Sequence, residues 1–274
     1  MQPLQIGVCT WSLKMPDLGQ ALATISSQLG LRLVHLGFWD DSFTDTDRIV
    51  ELLTSNGLEV SATCIGYPDE DYSTIQRIAE TGGYRPDEQW ERRFAQTRAL
   101  ADFTAAIGVK LLATHIGFVP HDKADPRYAV MVDRLRRVCD ALGQRGLTLV
   151  METGQEKAEA LAEFITAVGR DNIGVNFDPA NMILYGVGDP VEAVGILKDK
   201  IVHCHMKDAT WSSRPTQQWG EEVVLGTGQA DIPRVVSKLR AIGYQGPLVI
   251  EREAGDIRTA DIQKAINLLN SLVG

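Results

Sequence analysis

The chain has 274 residues, 44% of them hydrophobic and 23% charged, which is enough to bury a full core as one domain. A formal net charge of −9 would repel a polyanion, so nucleic acid is not an expected partner. No segment approaches the roughly 18 apolar residues of a membrane span, and the start "MQPLQIGVCTW" lacks the basic and apolar regions of a leader; the expected compartment is the cytoplasm, with no membrane partner.

In chain order, short runs rich in Val, Ile and Leu recur: "LQIGVC", "LRLVHL", "LEVSATC", "VKLLATH", "LTLVME", "IGVNFD", "IVHCHM" and "PLVIE". Each is nearly continuous in apolar residues, as in parallel strands covered on both faces. Helical stripes lie between them, among them Leu18, Leu22, Ile25 and Leu29, then Val132, Leu135, Val138 and Leu142, then Val235, Leu239 and Ile242. Gly30, Gly57, Gly108, Gly146 and Gly243 each stand where a helix stops and a strand begins, the place for a left-handed C′ residue. About eight βα units result, and the expected fold is α/β, a closed (β/α)8 barrel forming a single domain over 1–274. Residues 66–86 interrupt the regular spacing after the third strand. They read either as a lid insertion over the barrel mouth or as a plain surface excursion before a helix opened by Pro86 and Asp87.

Cys9, Cys64, Cys139 and Cys204 have no CxxC spacing and read as reduced core residues. The "GTGQAD" cluster at 226–231 follows a long loop and not a first strand, so it reads as a turn, not a dinucleotide fingerprint.

In a barrel of this kind chemistry sits at the C-terminal ends of the strands. Four consecutive strands carry suitable groups there: the fifth ends in Glu152, the sixth in Asp178, the seventh contains His205 and the eighth ends in Glu251. Adjacent strands lie about 4.8 Å apart, so these side chains can converge on one point. Three carboxylates gathered together repel one another unless a cation or shared protons compensate. One divalent metal ion is the simplest compensation, and three oxygen-donor residues with one imidazole suit Mn, Mg, Co or Zn. His203 shares a face with His205 by strand alternation and reads as a packing partner of that ligand. Lys207 continues that face as a substrate contact or a solvated strand end. His115, closing the fourth strand, reads as a substrate contact, a proton-transfer group or a structural histidine. His35 and His121 read as core-edge and loop residues. Trp11, Trp39, Trp211 and Trp219 fall just beyond strand ends, where indole faces can stack on sugars; Trp11 is the expected substrate contact among them. Arg214, Arg252 and Arg258 are available for phosphate. Asp231, however, is expected to open the helix after "GTGQ" and to occupy its positive end, which favours an unphosphorylated substrate.

The runs "VMETG", "NFDPANMILYG", "VHCHMKDA", "VVLGTGQADI" and "LVIERE" resemble, in order and spacing, the xylose isomerase-like TIM-barrel superfamily of sugar phosphate isomerases and epimerases. The resemblance spans essentially the whole chain. It implies a metal held by Glu152, Asp178, His205 and Glu251, with Glu152 and Glu251 also exchanging protons with substrate carbon. It implies an enzyme: a divalent-metal-dependent sugar isomerase or epimerase working through an enediolate, with a sugar or polyol as its small-molecule partner. Dimers and tetramers are the family's habit. The alternatives are a keto-sugar or keto-inositol dehydratase, a silent sugar-binding barrel and an endonuclease IV-like nuclease. Asn181 stands where epimerases of the family tend to carry histidine, which alters an expected substrate contact; Arg252 is the remaining expected contact.

Overall fold

The computed structural model describes residues 4–274, so residues 1–3 of the expected domain and leader reading lie outside the described residues. The strands are β1 Ile6–Cys9, β2 Leu33–Phe38, β3 Glu59–Ile65, β4 Leu111–Thr114, β5 Thr148–Glu152, β6 Ile173–Phe177 and β7 Ile201–Met206. A ribbon follows, β8 Asp208–Thr210 and β9 Glu221–Val223, and then β10 Leu248–Ile250. The helices are α1 Leu18–Ser27, α2 Thr46–Asn56, α3 Ile75–Thr81, α4 Asp87–Ala106 and α5 Pro126–Gly143. They continue as α6 Ala158–Val168, α7 Pro179–Tyr185, α8 Pro190–Ile196, α9 Ile232–Ala241 and α10 Arg258–Val273.

The eight expected runs form the closed barrel, in the order β1-β10-β7-β6-β5-β4-β3-β2, all neighbours parallel. The five helix-ending glycines take φ values of 61–78°, the left-handed conformation expected of them. Two register breaks interrupt the pairing. Between β2 and β3, Val34 pairs with Val60 and His35 with Ala62, so Ser61 is skipped; between β6 and β7, Val175 pairs with Ile201 and Asn176 with His203, so Val202 is skipped. Such bulges re-aim the side chains beside them.

Two features were not visible as strand or helix runs. The ribbon β8–β9 is antiparallel and projects between the last two barrel strands. Helices α7 and α8 both start in the same way, with an aspartate cap followed by proline at the first turn: Asp178 accepts from Asn181 N–H, and Asp189 accepts from Val191 and Glu192 N–H.

The segment 66–86 is a loop plus α3, bound at both limbs. Glu70 accepts the N–H groups of Tyr67 (3.2 Å) and Gly83 (2.7 Å), which ties its beginning to its end. From α4, Arg93 donates to the carbonyls of Thr81 and Gly83 and pairs with Asp69; from α5, Arg134 donates to those of Tyr84 and Arg85. Ile75 and Ile78 of the segment pack on Tyr185 of α7. Gly83 has φ of 56°, and a Cβ there would stand 2.0 Å from the carbonyl carbon of Ile116. Backbone cannot yield as a flexible side chain does, so Gly83→Ala is expected to destabilise the protein by about 3 kcal/mol and lower its unfolding midpoint by about 6 °C. An unchanged midpoint in calorimetry would contradict this placement.

Candidate metal centre

The barrel directs Glu152 from the end of β5, Asp178 from just beyond β6, His205 from β7 and Glu251 from just beyond β10 to one place. One donor atom from each lies within 4.8 Å of the other three. His205 Nδ1 is 2.7 Å from Glu152 Oε1, 3.4 Å from Glu251 Oε2 and 3.9 Å from Asp178 Oδ2. Asp178 is fully buried and does two jobs. Its Oδ1 caps α7, while its Oδ2 makes no hydrogen bond and has Lys207 Nζ at 3.1 Å. Thr153 braces the same residue, its hydroxyl accepting from Asp178 N–H and donating to the Asp178 carbonyl. Glu251 is positioned by two donors, Trp11 Nε1 at 2.9 Å and Lys207 Nζ at 2.5 Å.

Burial and charge set the protonation of this group. Burial pushes the Asp178 carboxyl up to about 7, against the pull of Lys207. Burial acts the same way on Glu251, but Lys207 and His205 outweigh it and hold that carboxyl well below the usual range. Burial alone would lower His205 and Lys207; the neighbouring carboxylates, with Cys9 beside His205, raise both. An orphaned buried carboxylate oxygen among two further carboxylates and an imidazole is a donor set that fits a hard or borderline divalent cation.

Three of the four donors, Glu152, His205 and Glu251, line a cavity of about 410 Å³, and Asp178 is buried behind them. Trp11, His115, Asn181 and Lys207 also line the cavity. Lys207 is 3% exposed, which settles its two readings against a solvated strand end. Arg252 is a correction. Its side chain runs the other way, paired with Glu222 (2.7 Å) and Asp261 (3.2 Å), and it does not line the cavity; neither do Arg214 and Arg258. Strand alternation is the reason, since Glu251 inward puts the next residue outward. His35 is a second correction: it is fully buried, with Nδ1 3.0 Å from His205 Nε2, at the barrel centre and not at a core edge. His203 packs inside as expected, and His121 is an exposed loop residue. Trp39 and Trp219 line the cavity, whereas Trp211 packs against the core.

Sequence reasoning missed Glu70, Tyr72, Tyr185 and Glu253, all of which line the cavity. Glu70, Tyr72 and Tyr185 sit in loops or on a short helix where no local pattern gives their direction, whereas alternation from Glu251 points Glu253 inward. Glu156 was also missed. Buried 2 residues beyond Gly154, it accepts from Val119 N–H at 2.9 Å, and burial pushes its carboxyl up to about 7. Between its ordinary 4.5 and about 7 only the folded state holds that proton, so stability is lost as pH rises through this window. Glu156→Gln keeps the acceptor and removes the penalty. Relative to wild type it is expected to gain up to about 3 kcal/mol at pH 8 and nothing at pH 4, read from urea unfolding at both values.

A barrel with four metal-donor side chains on its C-terminal face is thereby defined. The chain belongs to the xylose isomerase-like TIM barrel family, whose family model matches residues 24–272. It is similar to a xylose isomerase domain protein from Planctomyces limnophilus, with 33% identity, 98% of this chain and 97% of that one covered, and a TM-score of 0.91. The rhizopine catabolism protein MocC of Rhizobium meliloti is 24% identical over 259 residues, covering 88% of this chain and 68% of that protein. An L-ribulose 3-epimerase structure shares the fold with 20% identity, 98% and 94% coverage and a TM-score of 0.75. At 15–16% identity the fold also recurs in a Mycobacterium smegmatis barrel in complex with magnesium, a D-psicose 3-epimerase in the presence of D-fructose and a probable 3-DHS dehydratase, AsbF, from Bacillus anthracis. Among the described residues no helix is long and apolar enough to cross a membrane.

Proposed function

We propose that this protein is a divalent-metal-dependent sugar isomerase or epimerase that moves a proton next to a carbonyl. The observation that carries the reading is the convergence of Glu152, Asp178, His205 and Glu251 on one point, with three of them lining the cavity at the barrel mouth. A cation held by these residues supplies positive charge to a substrate oxygen, which makes an adjacent C–H acidic enough to remove. Glu152 and Glu251 are the proton-transfer groups. Lys207, between Glu251 and Asp178, holds the first of these ionised and ready to accept a proton. Trp11 fixes the orientation of Glu251 by donating its indole N–H to the carboxylate.

The substrate in this reading is an unphosphorylated sugar or polyol. No arginine of the three available ones lines the cavity, Glu70 and Glu253 add negative charge to it, and Asp231 caps α9. His115, Asn181 and Lys207 are the polar contacts for substrate hydroxyls, and both ring nitrogens of His115 are free of hydrogen bonds. In this reading segment 66–86, bound at both limbs, serves as a wall of the cavity. Dehydration is the second reading, favoured by the Lys207 ammonium that lines the cavity beside Glu251.

The test is elemental analysis of the purified protein, followed by a metal-dependent screen of ketoses, keto-inositols and 3-keto-glycosides. Isomerisation leaves product mass unchanged and dehydration lowers it by one water. About one metal per chain, with turnover lost on chelation and restored by the metal, is expected. Metal-independent turnover would sink the reading.

A further inference from the structure

The far side of the His205 ring faces an ordered file of polar groups that the proposed chemistry does not use. Asn176 Nδ2 lies 3.1 Å from His205 Nε2, and Asn176 Oδ1 lies 2.8 Å from His203 Nδ1. His203 Nε2 is 3.0 Å from Ser61 Oγ, and Ser61 Oγ–H donates to the Val34 carbonyl at 3.1 Å. His203, Asn176 and His205 are all 2% exposed or less. The file crosses the barrel from β7 through β6 to β3 and β2, and both register breaks fall on it: Ser61 is one skipped residue, and Val202, beside His203, is the other.

We propose that Ser61, His203 and Asn176 are positioning residues that decide which ring nitrogen of His205 carries the proton, and so present Nδ1 as a lone pair to a cation. The inference rests on the metal-site reading above.

Heavy-atom positions fix these contacts but not their direction, because an amide can be turned over and an imidazole can hold its proton on either nitrogen. A backbone carbonyl, however, only accepts. With the Ser61 proton committed to Val34, Ser61 Oγ accepts from His203 Nε2–H. His203 Nδ1 then accepts from the Asn176 amide NH2, and the Asn176 oxygen accepts from His205 Nε2–H. One end of the file thus dictates the other, and Nδ1 of His205 is left bare toward Glu152, Asp178 and Glu251.

Run in reverse, the file takes the Ser61 proton away from Val34 and places the His205 proton on Nδ1, against Glu152 Oε1 at 2.7 Å. That direction suits the cluster without a cation, and it is the one in which Asn176 Nδ2 faces His205. Loading therefore turns the amide over and leaves both His203 and His205 with a proton on Nε2 and none on Nδ1. His35 follows either direction. Burial and His205 hold it neutral, at about 3, and its Nδ1 meets His205 Nε2 while its Nε2 has no hydrogen bond.

The test uses full-length protein labelled with 15N in histidine, whose long-range proton–nitrogen spectra separate the two neutral tautomers, titrated with one equivalent of Zn²⁺. His203 and His205 are both expected to carry the proton on Nε2 in the loaded protein. Asn176→Leu, similar in volume and without hydrogen bonds, is expected to weaken Zn²⁺ binding about 10- to 100-fold in a chelator-competition titration. Asn176→Asp, which only accepts, is expected to bind close to wild type yet place the His203 proton on Nδ1, a split that a purely structural role does not produce. If Asn176→Leu fails to fold, Ser61→Ala, at a half-buried site, is expected to remove the His203 preference. A loaded wild type with the His203 proton on Nδ1, or undiminished Zn²⁺ affinity in Asn176→Leu, overturns the file and leaves the metal site standing. No Zn²⁺ binding by wild type overturns both.

Discussion

Glu152→Gln is expected to cut turnover at least about 10³-fold, because on the proposed reading it removes a proton-transfer group and a charged metal donor in one change. The fold should survive. Glutamine keeps an oxygen for the His205 contact, and one negative charge leaves a cluster in which three carboxylates crowd a single imidazole and a single lysine. The unfolding midpoint of the metal-free variant is therefore expected to equal or exceed that of wild type, while its metal content falls. Turnover within tenfold of wild type at saturating metal would remove Glu152 from the chemistry. Glu251→Gln is the companion change, and its loss should be of similar size because Glu251 also organises Trp11 and Lys207.

The second large effect is structural. Asp208 is buried and accepts four backbone N–H groups, those of Ala209, Gly226, Gly228 and Ala230, at 2.9–3.0 Å. It is the knot that closes the ribbon β8–β9 and the turn after it, next door to Lys207. Asp208→Ala strands four backbone donors, those of Ala209 and Ala230 buried and those of Gly226 and Gly228 partly so. At about 1 kcal/mol or more each, discounted for relaxation, the expected cost is about 4 kcal/mol, with a midpoint lower by about 10 °C. Chemical denaturation measures the first and calorimetry the second. Asp208→Asn should recover part of the loss, because its oxygen keeps some of the acceptance; equal losses in the two variants would show that the carboxylate is not what holds the loop.

The barrel was legible in the chain because most of its strand residues are buried and so read as short apolar runs, several of them entered from a glycine that ends the preceding helix. The four donors were legible for the opposite reason: a charged group closing an apolar run marks a strand end, and consecutive strand ends are spatial neighbours. Arg252 shows the limit of reading position without direction. It stands at the right height, but alternation from Glu251 turns it to the outside, a signal that was present and outweighed by its charge. His35 carries the same lesson reversed, since its place opposite Cys9 in the pairing puts it inside. Glu253, two residues beyond Glu251, shared that signal in the inward direction, whereas Glu70 and Tyr72 had none. Their directions come from tertiary contacts, Glu70 above all through its hold on Tyr67 and Gly83. The Asp178–Pro179 pair was readable as a helix start, yet nothing local says that one carboxylate can cap a helix with one oxygen and keep the other for a cation.

The cavity draws its walls from two sources. Its floor belongs to strands whose positions the closed cylinder fixes, whereas Tyr72 and Trp219 arrive on excursions that are anchored separately, by Glu70 and Arg93 in one case and by Asp208 in the other. Reactivity and selectivity are thus mechanically decoupled. Grafting different sequences between Asp71 and Glu80, or between Trp211 and Trp219, should retune what the vessel admits while its reactive base stays as it is, which makes those two stretches the places to diversify in a search for altered substrate range.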